Sequence, residues 1–89
     1  MASRLKLRAG KKHGASTIAV IGLGRFGTAL AVELVKTGRE VLGIDSDERL
    51  VQANAEALTH VVQADTTDEA TLKELGIQDF DSAVVAIGS

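Results

Sequence analysis

Three glycines, Gly22, Gly24 and Gly27, stand in the spacing G-x-G-x-x-G, with Arg25 and Phe26 in its last two variable places and Asp45 23 residues after the first glycine. A turn of this kind binds phosphate when it opens a helix. The first N–H groups of a helix lack intrahelical partners, its dipole favours negative charge, and a side chain in the way would block the approach. The spacing assigns Gly22 the tight turn, Gly24 the close approach to phosphate and Gly27 the close packing of helix on strand. Asp45 lies near the separation of about 20 residues at which an acid bonds the ribose hydroxyls of an adenosine. Its structural alternative is helix capping, because Asp45-Ser46-Asp47-Glu48 is itself box-like.

A carboxylate at Asp45 repels a 2′-phosphate, and the next residue is Ser46 rather than an Arg to neutralise one, so NADP is disfavoured. The same acid does not separate NAD(H) from ATP, ADP or AMP, all of which carry a free adenosine 2′-hydroxyl. Arg25 is either a guanidinium beside the phosphates, able to meet the terminal phosphate of ATP, or a solvated first-turn cation. Asp47 either reaches the ribose edge or is a plain first-turn acid. Asp65 and Thr66, after a third strand, either border the adenine or cap the next helix. Ala86, Ile87 and Gly88 end a fourth strand on the same edge of the sheet, where a ligand can approach the backbone closely. His60 sits at a strand start, away from that edge, and reads as structural. No acid–base pair, nucleophile or metal constellation accompanies the glycine turn, so no catalytic residue and no metal ligand is assigned, and a divalent cation with the nucleotide stays an open question.

The elements that must position these residues follow from hydrophobic period. Thr17 to Gly22 is a continuous apolar run, the pattern of a strand buried on both faces of a parallel sheet. From Arg25 the period becomes helical, with a stripe of Phe26, Leu30 and Leu34 widened by Ala31 and Val35, and Gly38 as the stop. Arg25, Thr28, Glu33 and Lys36 fall on the opposite side with Val32 among them, a surplus apolar residue where a subunit contact could form. Glu40 to Asp45 is a second strand, and Asp47 to about Ala57 a helix with Ser46 as its cap. His60 to Ala64 is a third strand. Thr66-Thr67-Asp68-Glu69 is a capping-box pattern for a helix that Gly76 closes, and Ser82 to Ile87 is a fourth, buried strand. The alternation predicts an α/β fold, a Rossmann-like doubly wound parallel sheet of about four strands in the order 3-2-1-4, truncated before strands five and six.

Eighty-nine residues allow one small core, and 45% hydrophobic with 25% charged residues and a mean hydropathy of +0.14 is a globular composition. Without cysteine there is no disulfide framework and no thiol chemistry, which fits a reducing cytoplasm. No apolar run approaches the roughly 20 residues of a membrane helix. Residues 1–16 carry five cations (Arg4, Lys6, Arg8, Lys11, Lys12) and no anion, while residues 17–89 hold the other five cations and all twelve anions, a balance of −7. Residues 1–16 therefore read as a basic flexible N-terminal arm, either a solvated leader or a segment that touches anionic headgroups or an acidic partner. An acidic body with two aromatic residues and no Trp or Tyr lacks the stacking platforms of single-strand binders, so nucleic acid is not expected as a partner.

Ile21-Gly-Leu-Gly-Arg-Phe-Gly27, Val41-Leu-Gly-Ile-Asp45, His60-Val-Val-Gln-Ala-Asp-Thr66 and Leu75 to Gly88 together resemble the N-terminal lobe of the RCK (regulator of potassium conductance) domains, KtrA/TrkA type. The likeness covers residues 17–89. It implies the N-terminal part of an RCK/TrkA-N nucleotide-binding domain whose C-terminal strands and C-lobe lie beyond this chain. It also implies a regulatory subunit rather than an enzyme, binding ATP/ADP or NAD(H). Such subunits form homodimers that assemble as an octameric ring beneath a membrane potassium-transporter or channel subunit, cytoplasmic and peripheral to the inner face of the membrane. On this sequence Gly22, Gly24 and Gly27 would hold phosphates, Asp45 the ribose, and Arg25 the terminal phosphate across the dimer. Asp65 departs from Ktr members that have an uncharged residue there. The alternative from another class is the cofactor-binding fragment of an NAD-dependent dehydrogenase, with its catalytic Lys, His or Tyr in a second domain; hydride transfer from NADH would single it out.

Overall fold

The computed structural model describes residues 16–86. The expectations for the basic arm, and for Ile87 and Gly88, lie outside the described residues. In chain order the elements are β1 (Thr17–Ile21), α1 (Arg25–Lys36), β2 (Glu40–Asp45), α2 (Glu48–Ala53), β3 (His60–Gln63), α3 (Glu69–Glu74), a 3-10 turn (Ile77–Asp79) and β4 (Ser82–Val85). The four strands form one parallel sheet in the order β3-β2-β1-β4, the predicted Rossmann-like arrangement. Ile21 pairs with Ile44 and with Val85, and Asp45 pairs with Gln63, so the carboxyl ends of all four strands lie along one edge.

Strand alternation sorts the core onto two faces. Ile18 and Val20 of β1 and Val41 of β2 pack with Leu23, Ala31 and Leu58, and Leu34, Val35 and Leu50 close over them, so α1 and α2 cover this face. Ile21, Leu42 and Ile44 point the other way, against Leu72, Leu75, Ile77 and Phe80. This division is what right-handed crossovers dictate when the chain moves outward through β2 and β3 and then returns past β1 to β4.

Several expectations are corrected. The buried face of α1 runs through Gly27, Ala31, Leu34 and Val35 rather than through Phe26, which is 63% exposed. Gly27 has to face the strand, and that rotates Phe26 outward. Val32 is half-buried and packs on the core, so it is not a surplus surface residue. The second helix ends at Ala53, not near Ala57: Asn54, buried, donates from Nδ2 to the Leu50 carbonyl at 2.8 Å, and tight turns bring the chain to Leu58. A side-chain amide that competes for a helical carbonyl is a recognised way to stop a helix. β4 is mostly exposed, with Val85 at 67%, because it forms an edge of the sheet instead of a covered strand.

At the amino-terminal edge, β1 is fastened to the segment before β4. The Thr17 N–H donates to Asp81 Oδ2 at 2.8 Å, and the Asp81 N–H donates to the Thr17 carbonyl at 2.9 Å and to its Oγ1 at 3.1 Å. Thr17 is thereby satisfied although it is 1% exposed, as a buried hydroxyl requires. His60 lies near this edge with Nε2 4.0 Å from Glu40, away from the carboxyl ends of the strands.

Candidate functional site

The glycine turn leaves β1 at the carboxyl edge. Gly22 continues the ladder by donating its N–H to the Ile44 carbonyl at 2.8 Å, then turns at φ +109°, a left-handed conformation that a side chain resists. A Cβ at Gly27 would overlap the Gly22 carbonyl oxygen and meet Ala86 Cβ at 3.4 Å, so the start of α1 lies against the turn. Gly24 is different. It is exposed, a Cβ there would meet nothing within 4 Å, and its φ of −76° is open to any residue. What its missing side chain leaves is free approach from outside.

Gly24 is also the N-cap of α1, and no described side chain caps that helix or places an acid in its first turn. The other two helices are closed. Asp47 caps α2 by accepting from the Arg49 N–H at 2.9 Å, and Asp68 caps α3 by accepting from the Ala70 N–H at 3.0 Å, with Glu48 and Glu69 next to them. An acid at a helix start neutralises the end of the dipole. Among the described helices only the glycine-turn helix leaves that end without a capping side chain or an acid, and its first residue, Arg25, is an exposed cation.

Asp45 ends β2 beside the turn, half-buried, with Oδ2 accepting from the Leu23 N–H at 2.7 Å and Oδ1 from the Asp47 N–H at 2.8 Å. A carboxylate offers about four lone-pair sites, so two are still available to vicinal hydroxyls. The capping alternative is thus half realised: Asp45 holds the N–H of the capping residue, while Asp47 itself is the cap and Ser46, expected as the cap, is not. Ser46 is exposed and its carbonyl accepts from Gln63 Nε2 at 3.2 Å, and the Ala64 N–H donates to the Asp45 carbonyl at 3.0 Å. The ends of β2 and β3 therefore form one rim.

Beyond that rim Asp65 is exposed, and its Oδ1 accepts from Thr67 Oγ1 at 2.6 Å and from the Thr67 N–H at 2.9 Å. These bonds, the hydroxyl's first, hold its carboxyl below the ordinary value. The expected Thr66–Glu69 capping box is not formed, because Asp65 closes its own turn and the helix is capped by Asp68, two residues after Thr66. Thr66 is half-buried within that turn. The structure therefore gathers Gly22, Gly24, Arg25, Phe26, Gly27, Asp45, Ser46 and Asp47 at the ends of β1 and β2, with Asp65 and Thr66 following β3.

Sequence reasoning missed Leu23 and Thr28. Leu23 is 0% exposed although it lies between two glycines of a turn, and Thr28, placed on the solvent side, donates from Oγ1 to the Leu23 carbonyl at 2.9 Å. Gly43 makes room for Leu23, since a Cβ there would come within 3.0 Å of Leu23 Cδ2 and 2.7 Å of Leu58 Cδ1. An apolar residue between the first two glycines was the available signal for an anchored turn.

The profile of the TrkA-N domain matches residues 18–89. The chain belongs to the TrkA-N domain family. It is 49% identical over 70 residues to Ktr system potassium uptake protein C of Bacillus subtilis, covering 79% of this chain and 32% of that protein. It is 49% identical over 71 residues to Ktr system potassium uptake protein A of the same organism, with 80% and 32% covered. The Vibrio alginolyticus Ktr system potassium uptake protein A is 41% identical over 78 residues, with 88% and 36% covered. The chain thus spans about a third of the length of these relatives, and the RCK-type resemblance holds for that N-terminal region. Among solved structures, N5-carboxyaminoimidazole synthetase from Staphylococcus aureus complexed with ADP superposes with a TM-score of 0.68 at 29% identity, over 92% of this chain and 20% of that one. Among the described residues no helix is long and apolar enough to cross a membrane, and no group of three His, Cys, Asp or Glu side chains is arranged to hold a metal.

Proposed function

We propose that this TrkA-N lobe is the ligand-sensing part of a regulatory subunit that gates a potassium transporter or channel in response to ATP against ADP, or to NAD(H). The observation that carries the reading is the Asp45 carboxylate bonded to the Leu23 N–H beside an open Gly24 and an uncapped α1. These groups offer an anion site and a hydroxyl site side by side, the two features that a nucleoside phosphate presents. The potassium role is supported by the three relatives, each a Ktr system potassium uptake protein. The structural neighbour, matched over 20% of its length, supports the fold.

In this reading the turn from Gly22 to Gly27 and the first N–H groups of α1 bind the phosphates, and Asp45 accepts from the ribose hydroxyls while excluding NADP by its charge. Arg25 meets the terminal phosphate, across a homodimer that assembles into an octameric ring against a membrane potassium-transporter subunit at the cytoplasmic face. Asp47, Ser46, Asp65 and Thr66 border the remaining nucleotide. The uncovered β4 is where the rest of such a domain would pack. A ligand then shifts the ring between geometries only by its difference in affinity for them.

Calorimetric titration of the full-length protein with ATP, ADP, AMP, NADH and NADPH tests the reading. Binding of the first four classes at or below the high-micromolar range, and discrimination against NADPH, is expected; failure of every adenine nucleotide to bind would overturn it. Arg25→Ala is expected to narrow the ratio of ATP to ADP affinity, whereas equal losses for both would remove Arg25 from the sensor role.

A further inference from the structure

The anion site is held in shape through Leu23, whose N–H, carbonyl and side chain each have a fixed partner. Asp45 takes the N–H, Thr28 Oγ1 takes the carbonyl, and the space over Gly43 takes the side chain. A peptide group is planar and trans, so a carbonyl and the following N–H point in opposite directions from one plane. Holding the Leu23 carbonyl therefore sets the direction of the Gly24 N–H, which no described group accepts. Asp45 fixes the preceding peptide plane in the same way. Two consecutive planes of a glycine turn, which would otherwise sample many orientations, are held by two side chains.

We propose that Thr28 is a positioning residue of this site: its hydroxyl, through the Leu23 carbonyl, aims the Gly24 N–H outward at the bound phosphate. The inference rests on the nucleotide reading above. Preorganised donors strengthen binding because the ordering cost is met before the ligand arrives.

The test uses Thr28→Val, which keeps the shape and loses the hydroxyl, and Thr28→Ser, which keeps the hydroxyl, in the full-length protein titrated with ATP, ADP and NADH. Thr28→Val is expected to bind whichever of these the wild type binds about fivefold more weakly, the worth of one hydrogen bond. Thr28→Ser should stay within about twofold of wild type. Amide exchange of Gly24 in the ligand-free protein should quicken in Thr28→Val and not in Thr28→Ser, with the thermal midpoint lowered by roughly 5 °C in Thr28→Val, as loss of one hydrogen bond implies, and close to wild type in Thr28→Ser. If Thr28→Val does not fold, Thr28→Ala carries the same expectation. Unchanged affinity in the hydroxyl-free variant overturns the positioning role, as does an equal loss in Thr28→Ser that follows the fall in midpoint. Wild-type protein that binds none of the three ligands removes the nucleotide reading itself, a result distinct from wild-type binding that Thr28→Val leaves untouched.

Discussion

Asp45, the last residue of β2, reaches sideways to the glycine turn and accepts the Leu23 N–H at 2.7 Å through Oδ2. Its other oxygen accepts the Asp47 N–H, so one carboxylate ties the turn after β1 to the start of α2. Asp45→Ala frees both N–H groups and should lower stability by about 1–2 kcal/mol, measured by urea unfolding. Asp45→Asn retains one acceptor and should lose roughly half as much. Both variants should weaken ATP, ADP and NADH to a similar degree, because the 2′-hydroxyl is common to all three.

Gly24 and Gly27 belong to one motif but should respond to the same methyl in opposite ways. At Gly27 the added Cβ meets the backbone of Gly22, and Gly27→Ala should destabilise by about 3 kcal/mol or more. At Gly24 the space is open and φ is ordinary. Gly24→Ala should therefore leave the thermal midpoint nearly unchanged and remove nucleotide affinity. Paired calorimetry and thermal unfolding of the two variants separate the roles.

Gly43 lies in the middle of β2 beneath Leu23 and Leu58. Gly43→Ala overpacks this spot and should destabilise by about 1–3 kcal/mol. Shortening the nearer neighbour makes room, so Leu58→Ala in the Gly43→Ala background should cost less than the two single losses added together. A double-mutant cycle in denaturant measures that coupling.

Asp65 carries the acid-sensitive part of the rim. Its carboxyl is held below the ordinary value by the Thr67 hydroxyl and N–H. The stabilisation is therefore present above the unfolded value near pH 4 and is lost as pH falls through the lower folded value. Asp65→Asn should reduce stability at pH 7, and the difference from wild type should shrink as pH falls below the unfolded value and through the lower folded one, as read from guanidinium unfolding across an acid pH series. Full exposure of the side chain keeps the effect small and salt-sensitive.

The fold was legible because its signals were strong and local. The apolar run from Ile18 to Ile21 and the glycine stops at Gly38 and Gly76 fixed strands and helix ends, and β2 occupies Glu40–Asp45 as expected. The strand order followed from the α/β alternation read as a doubly wound sheet with right-handed crossovers. Errors arose where side chains compete with the backbone: Asn54 shortens α2, Asp47 and not Ser46 caps it, and Asp65 pulls Thr67 out of the expected box. The four-residue stripe through Phe26 failed because a periodicity argument does not weigh the contact that a missing Cβ permits at Gly27. The glycines and Asp45 fell at the carboxyl edge of the sheet as the motif placed them, whereas the groups that hold the turn in shape were not legible. Leu23, Thr28 and Gly43 act through positions that the motif leaves free, and only tertiary distances bring them together.

The Thr17–Asp81 fastening has a consequence for how the chain is made. Its two residues stand 64 positions apart, and β1 is the strand between β2 and β4. A nascent chain still lacking Asp81 at the ribosome exit can pair β1 on one side only, with its other backbone edge unfilled. β1 thus gains its second neighbour only after a further 64 residues have been made, so this part of the sheet closes late and slowly, as expected where distant segments must meet before they are rewarded. Pulse-labelled exchange on stalled chains that end before and after Asp81 would place protection of the Thr17 amide at that step.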